Sequence, residues 1–405
     1  MVTYPSDWEE YTIDEITRYI ITGGTPSTKH KEYWGGNIPW LASAEIHQRR
    51  ISSPTAYITE MGFNNSSAKI APAGSTLIAL AGQGKTRGTA AYLTKPMSLN
   101  QSLAAIVTNE KCNSEFIFFV LEGMYDFLRK TSSGDGGRGG LSKKLLKKIR
   151  LTIPSLIEEQ RAIAAVISSF DTHIDNIEAL IEKKKAIRDG ALEDLMSGRT
   201  RLDGFSGEWK ERYVNELGNF ISGSGFPLKF QGNVSEKYPF YKVSDFNRED
   251  NTPVMKTANN YVSEKTAEKM HCSIIPPESI VFAKIGAAIY LERKRLTQTD
   301  CCIDNNMMAL CVGDNNDPRY VCYALQRIKF GEYVRVTALP SLSAKILGKI
   351  KILMTNDVNE QKAIADILTL MDNEIHNLMV ERDKMIQIKE GAMDDLLTGR
   401  VRLSL

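Results

Sequence analysis

The sequence contains few of the residues that build metal centres and disulfide frameworks. Its 405 residues include only five histidines and six cysteines, and no two cysteines have a C-x-x-C spacing. We therefore expect buried, reduced thiols and no metal site. The cysteines concerned are Cys112, Cys272, Cys301, Cys302, Cys311 and Cys322.

The chain also lacks the features of membrane and secreted proteins. No apolar run reaches the roughly 18 residues that a membrane-spanning helix needs. The first residues, MVTYPSDWEE, do not have the basic and then apolar pattern of a secretory signal. The formal net charge of +2 neither requires nor excludes a nucleic-acid partner. These absences predict a cytoplasmic protein, and its length predicts two or more domains.

What the sequence does contain is an internal repeat. A segment that begins EQRAIA at Glu159 and a segment that begins EQKAIA at Glu360 align without a gap, 201 positions apart. The same offset relates Trp8 to Trp209 and the motif LSKKLLKKI to LSAKILGKI, whereas the sequence between these anchors is dissimilar. A repeat of this kind predicts one scaffold that is used twice. Drift of a duplicated fold would also explain the dissimilar central parts.

The repeated segments have the apolar spacing of long helices. Apolar residues recur at intervals of four and three, which is a heptad seam, and each helix spans about 40 residues or about 60 Å. An antiparallel coiled coil of the two helices, related by a pseudo-twofold axis, would bury both seams; pairing with helices of another chain is the alternative. The seam residues are Ile163, Ile167, Phe170, Ile174, Ile177, Ile181, Ile364, Leu368, Met371, Ile375 and Leu378.

The remaining sequence predicts two globular modules of the mixed α/β (α+β) class. Short β-like runs alternate with turns rich in Gly, Pro and Asn, and a helical stretch lies near each end. The predicted domains are residues 1–153 and 203–352 for the modules, and 154–202 and 353–405 for the helical regions. We refer to these two globular parts as the first and the second module.

Basic residues gather beside flexible turns in both modules, which is the pattern expected of a DNA-binding surface. Glycine lets the backbone approach a phosphate, and Lys and Arg neutralise its charge. The candidate DNA contacts in the first module are Lys29, His30, Gln83, Lys85, Thr86, Arg87, Arg138, Lys143 and Lys144. Those in the second module are Lys229, Lys242, Lys284, Arg335 and Lys345.

Two strings resemble catalytic motifs but do not match them. ALAGQGKT at residues 79–86 has Ala where the first glycine of a phosphate-binding loop should stand, and a strand pattern follows it instead of a helix. Asp317-Pro318-Arg319-Tyr320 has Arg in place of the second proline of an adenine methyltransferase motif. The sequence therefore predicts a binding role with no catalytic residues of its own.

The chain resembles the specificity subunit of type I restriction–modification enzymes over nearly its whole length. The resemblance depends on residues 23–46, 74–93, 100–102 and 141–164 and on the second EQKAIA helix. It implies two target-recognition domains that each read one half of an asymmetric, bipartite sequence in double-stranded DNA. It also implies a coiled coil that sets the spacer between the halves.

The resemblance further implies partners that perform the chemistry. Two modification subunits would bind S-adenosylmethionine and methylate adenine at N6, and two restriction subunits would use ATP and Mg. The chain itself would hold no cofactor. Two other functions remain open from the residues alone: a nucleotide-binding enzyme that uses residues 82–86, and a protein–protein scaffold without DNA contact.

Overall fold

The computed structural model describes residues 4–82, 84–131, 140–334 and 339–404. Predicted DNA contacts at Gln83, Arg138 and Arg335 lie outside these residues. The chain forms two compact units, one of Met1–Asn176 with Arg382–Leu405 and one of Ile177–Glu381. We call these the first and the second unit. Their boundaries fall inside the two predicted helical regions, so each unit combines one module with parts of both long helices.

The elements of the first half of the chain form a mixed α/β module followed by a long helix. Its strands are β1 (Trp8–Thr12), β2 (Thr17–Thr22), β3 (Trp34–Leu41), β4 (Arg50–Ile51), β5 (Ala56–Ile58), β6 (Ile70–Ala71), β7 (Thr76–Ala79), β8 (Ala90–Leu93), β9 (Met97–Leu99), β10 (Leu103–Thr108) and β11 (Arg150–Pro154). Its helices are α1 (Glu60–Asn64), α2 (Ser114–Gly123), α3 (Tyr125–Thr131), α4 (Lys143–Lys147) and α5 (Ile157–Met196).

The second half repeats this arrangement. Its strands are β12 (Trp209–Tyr213), β13 (Gly218–Ser222), β14 (Tyr238–Tyr241), β15 (Val254–Met255), β16 (Tyr261–Val262), β17 (Ile280–Ala283), β18 (Lys294–Thr297), β19 (Cys302–Ile303), β20 (Met307–Val312) and β21 (Lys351–Thr355). Its helices are α6 (Glu264–Lys269), α7 (Pro318–Gln326), α8 (Ala344–Leu347) and α9 (Val358–Leu397).

A five-stranded sheet forms the centre of each module. The strand order is β2-β10-β7-β8-β4 in the first module and β13-β20-β17-β18-β15 in the second. Successive side chains of a strand point to opposite faces, so both faces of a central strand can be buried. In β7, Ile78 packs in one core with the helix α2, and Leu77 packs in a second core with Leu41 of β3. The mixed α/β class that the sequence predicted is therefore present in both modules.

The sequence offset that relates equivalent residues of the two modules differs by three between the module ends and the central sheets. The backbone N–H of Leu80 donates to Ser102 O over 2.8 Å, and that of Lys284 donates to Asn306 O over 2.8 Å. Likewise, Leu141 N–H donates to Leu80 O and Leu342 N–H to Lys284 O. Residues of β4, β7, β8 and β10 therefore correspond to the second module at an offset of 204, whereas the long helices α5 and α9 correspond at 201.

The helices α5 and α9 are each 40 residues long, the length that the heptad pattern predicted. Glycines just beyond their last turns adopt left-handed backbone, with φ of 70° at Gly198 and 71° at Gly399. Glycine is the usual residue at this position because it has no Cβ to clash there. Gly198 and Gly399 thus mark the structural ends of the two helices.

A repeated glutamine fastens the start of each long helix to its module. Gln160 accepts a hydrogen bond from the backbone N–H of Asn113 over 2.8 Å and donates to Pro154 O over 2.9 Å. Gln361 accepts from the N–H of Asp317 over 2.8 Å and donates to Thr355 O over 2.9 Å. Both glutamines are buried, so each side chain satisfies backbone groups that water does not reach.

Within each unit, the first turns of one long helix pack beside the last turns of the other. In the first unit, Ile163 and Ile167 share a core with Leu396. In the second unit, Leu195 shares a core with Ile364 and Leu368. The other predicted seam residues range from buried, at Ile177 and Ile181, to partly exposed, at Phe170, Ile174, Met371, Ile375 and Leu378.

Ion pairs fix the direction of the two long helices within each unit. In the second unit, Arg201 Nε lies 2.7 Å from Glu360 Oε1, and Arg188 Nε lies 2.8 Å from Asp372 Oδ1. In the first unit, Arg402 Nε lies 2.6 Å from Glu159 Oε1, and Lys389 Nζ lies 2.6 Å from Asp171 Oδ1. The partner position therefore decreases along α9 as it increases along α5, so the two helix segments run antiparallel.

Across the described ranges, no helix has the length and apolar character needed to cross a membrane.

Candidate nucleic-acid interface

In the first module, several loops meet where β7 ends and β10 begins. The hydroxyl of Thr25 donates to Gln101 Oε1 over 2.6 Å, and Gly24 N–H donates to Leu99 O over 2.9 Å. The Leu80 and Leu141 backbone bonds described above join the β7–β8 loop to residues on both sides of β10. The turn at residues 23–27, the β7–β8 loop (residues 80–89), residues 100–102 and residue 141 are thus brought together.

The β7–β8 loop is held by its neighbours and exposes a lysine. The carbonyl of Lys85 accepts from the Thr89 hydroxyl over 2.8 Å and from the Tyr125 hydroxyl over 3.0 Å, and Arg129 donates to the carbonyl of Gly84. Gly84 and two other glycines of this loop have positive φ, which side chains other than glycine rarely adopt. The side chain of Lys85 is exposed. A fixed loop with an exposed cation fits contact with a phosphate.

Thr86 and Arg87 of this loop are partly buried. The hydroxyl of Thr86 lies 3.2 Å from His47 Nε2, so His47 belongs to the surroundings of the loop. Arg87 is half-buried. Its neighbour Gly88 has a φ of 84° and packs closely against α3, where a Cβ would meet Arg129 N at 3.2 Å.

The remaining first-module candidates divide into exposed and locally engaged residues. Lys29 and Lys144 are exposed. The ring of His30 stacks on Tyr33 with centroids 4.8 Å apart, and its Nδ1 lies 2.9 Å from Glu32 Oε1. Lys143 donates to the carbonyl of Ile20 over 2.7 Å, at the strand that neighbours β10. His30 and Lys143 therefore also have local structural roles.

The corresponding β17–β18 loop of the second module (residues 284–293) has a different chemistry. Lys284 occupies the position of Leu80, at the base of the loop, and is only partly exposed. The loop continues as a 3-10 helix, Ala287–Leu291, in which Tyr290 is 52% and Leu291 57% exposed. The two loops have equal length, but the first presents a lysine and the second presents apolar side chains.

A buried ion pair supports the β17–β18 loop. Lys294 Nζ lies 2.7 Å from Glu292 Oε2 and donates to Ile328 O over 2.8 Å. The two carboxylate oxygens of Glu292 accept the backbone N–H groups of Phe330 and Gly331, each over 2.8 Å. Burial lowers the pKa of Lys294, and the adjacent Glu292 carboxylate opposes this shift. The pair therefore holds the end of the loop against the segment that follows α7.

The remaining second-module candidates are dispersed. Lys242 donates to Gln231 Oε1 over 3.3 Å. Burial raises the pKa of Asp304, and the charge of Lys242 opposes this shift. Lys229 is exposed beside the ring of Phe230, and Lys345 is exposed in the first turn of α8. Lys284 and Lys242 flank residues 304–306, which occupy the position of residues 100–102.

Sequence reasoning missed the residues that assemble this surface. Thr25 and Gln101 lie within residues 23–46 and 100–102, and Tyr125 and Arg129 lie in a predicted helical stretch, but none of the four is among the predicted DNA contacts. No local pattern identifies them, because their roles come from contacts between distant segments.

The two misleading motifs have structural explanations. The segment after Ala79 returns directly into β8, so no helix N-terminus follows the near phosphate-binding loop. Asp317 is the N-cap of α7 and accepts the backbone N–H groups of Arg319 and Tyr320.

All six cysteines are free, with four of them buried. In the part of the chain that the structure describes, no three His, Cys, Asp or Glu side chains are grouped to hold a metal ion.

The chain matches the family described as the type I restriction modification DNA specificity domain, over residues 5–185 and again over residues 206–383. It belongs to this family. The two matched regions correspond to the two halves of the internal repeat, so the family domain occurs twice in this chain.

Curated relatives agree with this assignment. The specificity subunit of the MjaIX type I restriction enzyme from Methanocaldococcus jannaschii is 25% identical, over 98% of this chain and 94% of the relative. The specificity subunit of the EcoR124I/EcoR124II enzyme of Escherichia coli is 29% identical over 42% of each chain. This chain is therefore a type I specificity subunit by family.

Solved structures share the fold. The crystal structure of a type I restriction–modification S subunit from M. genitalium superposes with a TM-score of 0.67 at 17% identity, covering 100% of this chain and 98% of the other. A chain from a study of complex assembly and conformational transition of the type I system gives a TM-score of 0.57 at 14% identity, covering 98% and 100%. Two-module architecture is thus shared with proteins of this class.

Proposed function

We propose that each module reads one half of an asymmetric, bipartite sequence in double-stranded DNA. The difference between the β7–β8 and β17–β18 loops supports this proposal best. These loops occupy equivalent positions in one repeated scaffold, yet one exposes Lys85 and the other exposes Tyr290 and Leu291. Two equivalent surfaces of different chemistry would select different bases, so the target would not be a palindrome.

The long helices would set the spacer between the two half-sites as an antiparallel coiled coil. Support comes from the antiparallel packing of helix segments within each unit and from the 40-residue length of each helix. A helix of that length extends about 60 Å, more than the roughly 34–36 Å between sites one turn apart on DNA.

The same scaffold would dock the catalytic partners. The chain would be non-catalytic by itself and would position two modification subunits that bind S-adenosylmethionine and methylate adenine at N6. Two restriction subunits that use ATP and Mg would join the larger assembly. The repeated glutamine and ion-pair contacts support two equivalent docking positions, because both units keep the same helix packing.

The test is co-expression of the chain with its cognate modification subunit, followed by mapping of methylated adenines across the genome. A bipartite motif with two different halves is expected. A palindromic motif, or no methylation, would contradict the proposal. Binding to duplex DNA that weakens steeply with salt separates this function from a pure protein scaffold.

A nucleotide-binding role for residues 82–86 is tested with the same purified chain. Stoichiometric ATP binding that Lys85→Ala abolishes would favour that function over DNA reading. The strand that follows this loop argues against it, because a phosphate site of this type needs a helix N-terminus.

A further inference from the structure

The first unit contains an open groove beside its long-helix segments. It lies between α2, β11 and the last turns of α9 and has a volume of about 580 Å³. Its apolar walls include Val120, Met124, Met393 and Leu397. We call it the α2–α9 groove. All its lining residues belong to the first unit, and none of them is among the residues assigned above to DNA contact.

The internal repeat identifies the residue that fills the equivalent place in the second unit. The N-cap residues of α2 and α7 are Asn113 and Asp317, whose backbone N–H groups bond to Gln160 and Gln361 in the same way. Counting along both helices from this shared bond, Gly123 corresponds to Arg327. A nearby pair is also repeated, since Arg150 pairs with Glu10 and Lys351 pairs with Glu211. At the position of Gly123, the second unit therefore differs from the first chiefly by an arginine side chain.

In the second unit, Arg327 binds the end of α5 through three contacts. Its Nε and Nη2 lie 3.0 Å from the two carboxylate oxygens of Glu193, and its Nη1 donates to Met196 O over 2.6 Å. Hydrogen bonding by Arg327 lowers the pKa of Glu193. A bidentate carboxylate pair plus a carbonyl acceptor matches the planar guanidinium fork and not a lysine ammonium.

The first unit has the corresponding acceptors without the arginine. Asp394 and Leu397 of α9 correspond to Glu193 and Met196 of α5. Asp394 pairs with Arg400, as Glu193 pairs with Arg199, so this second cation is common to both units. Gly123 contributes no side chain, and a Cβ placed on it would meet only Leu397 Cδ1 at 4.0 Å.

We propose that the α2–α9 groove binds an arginine side chain presented by a partner polypeptide. The guanidinium would lie on Asp394 and the carbonyl of Leu397, and its aliphatic stem would pack along Val120, Met124 and Met393. Glu390 also lines the groove and favours a cation, whereas Glu10 is paired there with Arg150. The groove occurs in one unit and its equivalent is filled in the other, so each chain takes one such arginine. This inference does not depend on DNA reading.

The test uses the full chain and two acetylated tripeptide amides, Ala-Arg-Ala and Ala-citrulline-Ala. Citrulline has nearly the shape of arginine but no charge. Saturation-transfer NMR and titration calorimetry should show one site for the arginine peptide. The citrulline peptide should bind about tenfold more weakly, since it loses a charge-assisted hydrogen bond.

Three variants locate the site. Gly123→Arg should place an internal guanidinium in the groove, as Arg327 does, and abolish peptide binding while circular dichroism stays unchanged. Arg327→Gly should create a second, equivalent site for the arginine peptide. Asp394→Asn should weaken binding about tenfold.

Equal binding of the arginine and citrulline peptides would overturn the proposal, as would undiminished binding by a folded Gly123→Arg variant. If Gly123→Arg does not fold, retention of full binding by Asp394→Asn would overturn it independently.

Discussion

Lys389 of α9 donates from Nζ to Asp171 Oδ1 of α5 over 2.6 Å, and this pair joins the two copies of the repeat within the first unit. Asp171 also accepts from Arg49 Nη1 over 2.9 Å. The carboxylate is 5% exposed, so two cations from different segments depend on one buried charge. Its counterpart in the second unit is Asp372, which binds Arg188 Nε over 2.8 Å. Each unit is thus closed by an ion pair in which the acid and the base come from opposite copies.

Asp171→Asn should lower the free energy of unfolding by about 3 kcal/mol, because it leaves buried cations without their shared carboxylate. Urea unfolding followed by circular dichroism measures the loss, and hydrogen exchange should localise it to the first unit. Glu158→Gln is the matched control, since Glu158 is an exposed acid near Arg161 on the same helix. Its effect should stay below about 0.5 kcal/mol. Equal effects of the two variants would contradict the role of Asp171.

The contribution of Asp171 should also depend on pH. Burial alone would raise the pKa of this carboxyl, but Arg49 and Lys389 bring it below its ordinary value of 3.8. A depressed pKa in the folded state stabilises the protein above the unfolded pKa, and this stability is lost as pH falls through the folded value. The difference in unfolding free energy between wild type and Asp171→Asn should therefore be constant down to about pH 4 and shrink below it. A difference that grew on acidification would be inconsistent with this assignment.

Lys85→Ala should weaken DNA binding and reduce the dependence of affinity on salt. A lysine that neutralises one phosphate contributes about one unit to the slope of log K against log salt. Fluorescence anisotropy of a duplex that carries the mapped target, at several salt concentrations, measures both quantities. Lys95→Ala is the control, because Lys95 is an exposed lysine that follows the opposite end of β8. A slope unchanged by Lys85→Ala would remove this lysine from the interface.

The second module should respond differently. Replacing Tyr290 and Leu291 together by alanine should lower affinity about tenfold, since each can bury apolar surface against base edges. The salt slope should not change, because apolar contacts release no counterions. Recognition of the first half-site should persist, which duplexes with one altered half can show. Leu353→Ala, at an exposed leucine of β21, is the control. Loss of both half-sites together would argue against modular reading.

The repeat made the architecture accessible from the sequence, because a heptad spacing and a fixed offset can both be seen directly in the order of the residues. The long helices could be predicted from the heptad spacing, and the mixed α/β class from the short β-like runs and the turns between them. The positions of Lys284 and Leu80 could not be equated, since the offset changes from 201 to 204 inside the modules. Only the shared backbone bonds of Leu80 and Lys284 reveal this shift. The shift matters because it puts Lys284 in the place of Leu80, at the base of its loop, and not at the tip.

Side-chain pairing was also beyond the sequence. His30 and Lys143 look like free cations in a basic run, but Glu32 and the Ile20 carbonyl engage them. Such contacts join segments up to 123 residues apart, and no spacing rule predicts them. The same limit applies to Arg327 and Gly123, whose significance depends on what the end of the opposite helix offers.

The spacer role of the helices leads to the last prediction. If α5 and α9 form an antiparallel rod that separates the half-sites, a duplicated heptad in each should lengthen it by about 10 Å while keeping the apolar seam. The insertions belong at the unit boundaries, after Asn176 in α5 and after Glu381 in α9, so that neither module is disturbed. The unread spacer should then grow by about three base pairs at 3.4 Å each, with both half-sites unchanged. Mapping of methylated adenines measures the spacer directly.

A heptad inserted in α5 alone is the control and should destabilise the protein, because its seam would no longer match that of α9. A spacer that kept its length in the folded double insertion would show that the helices do not set the distance.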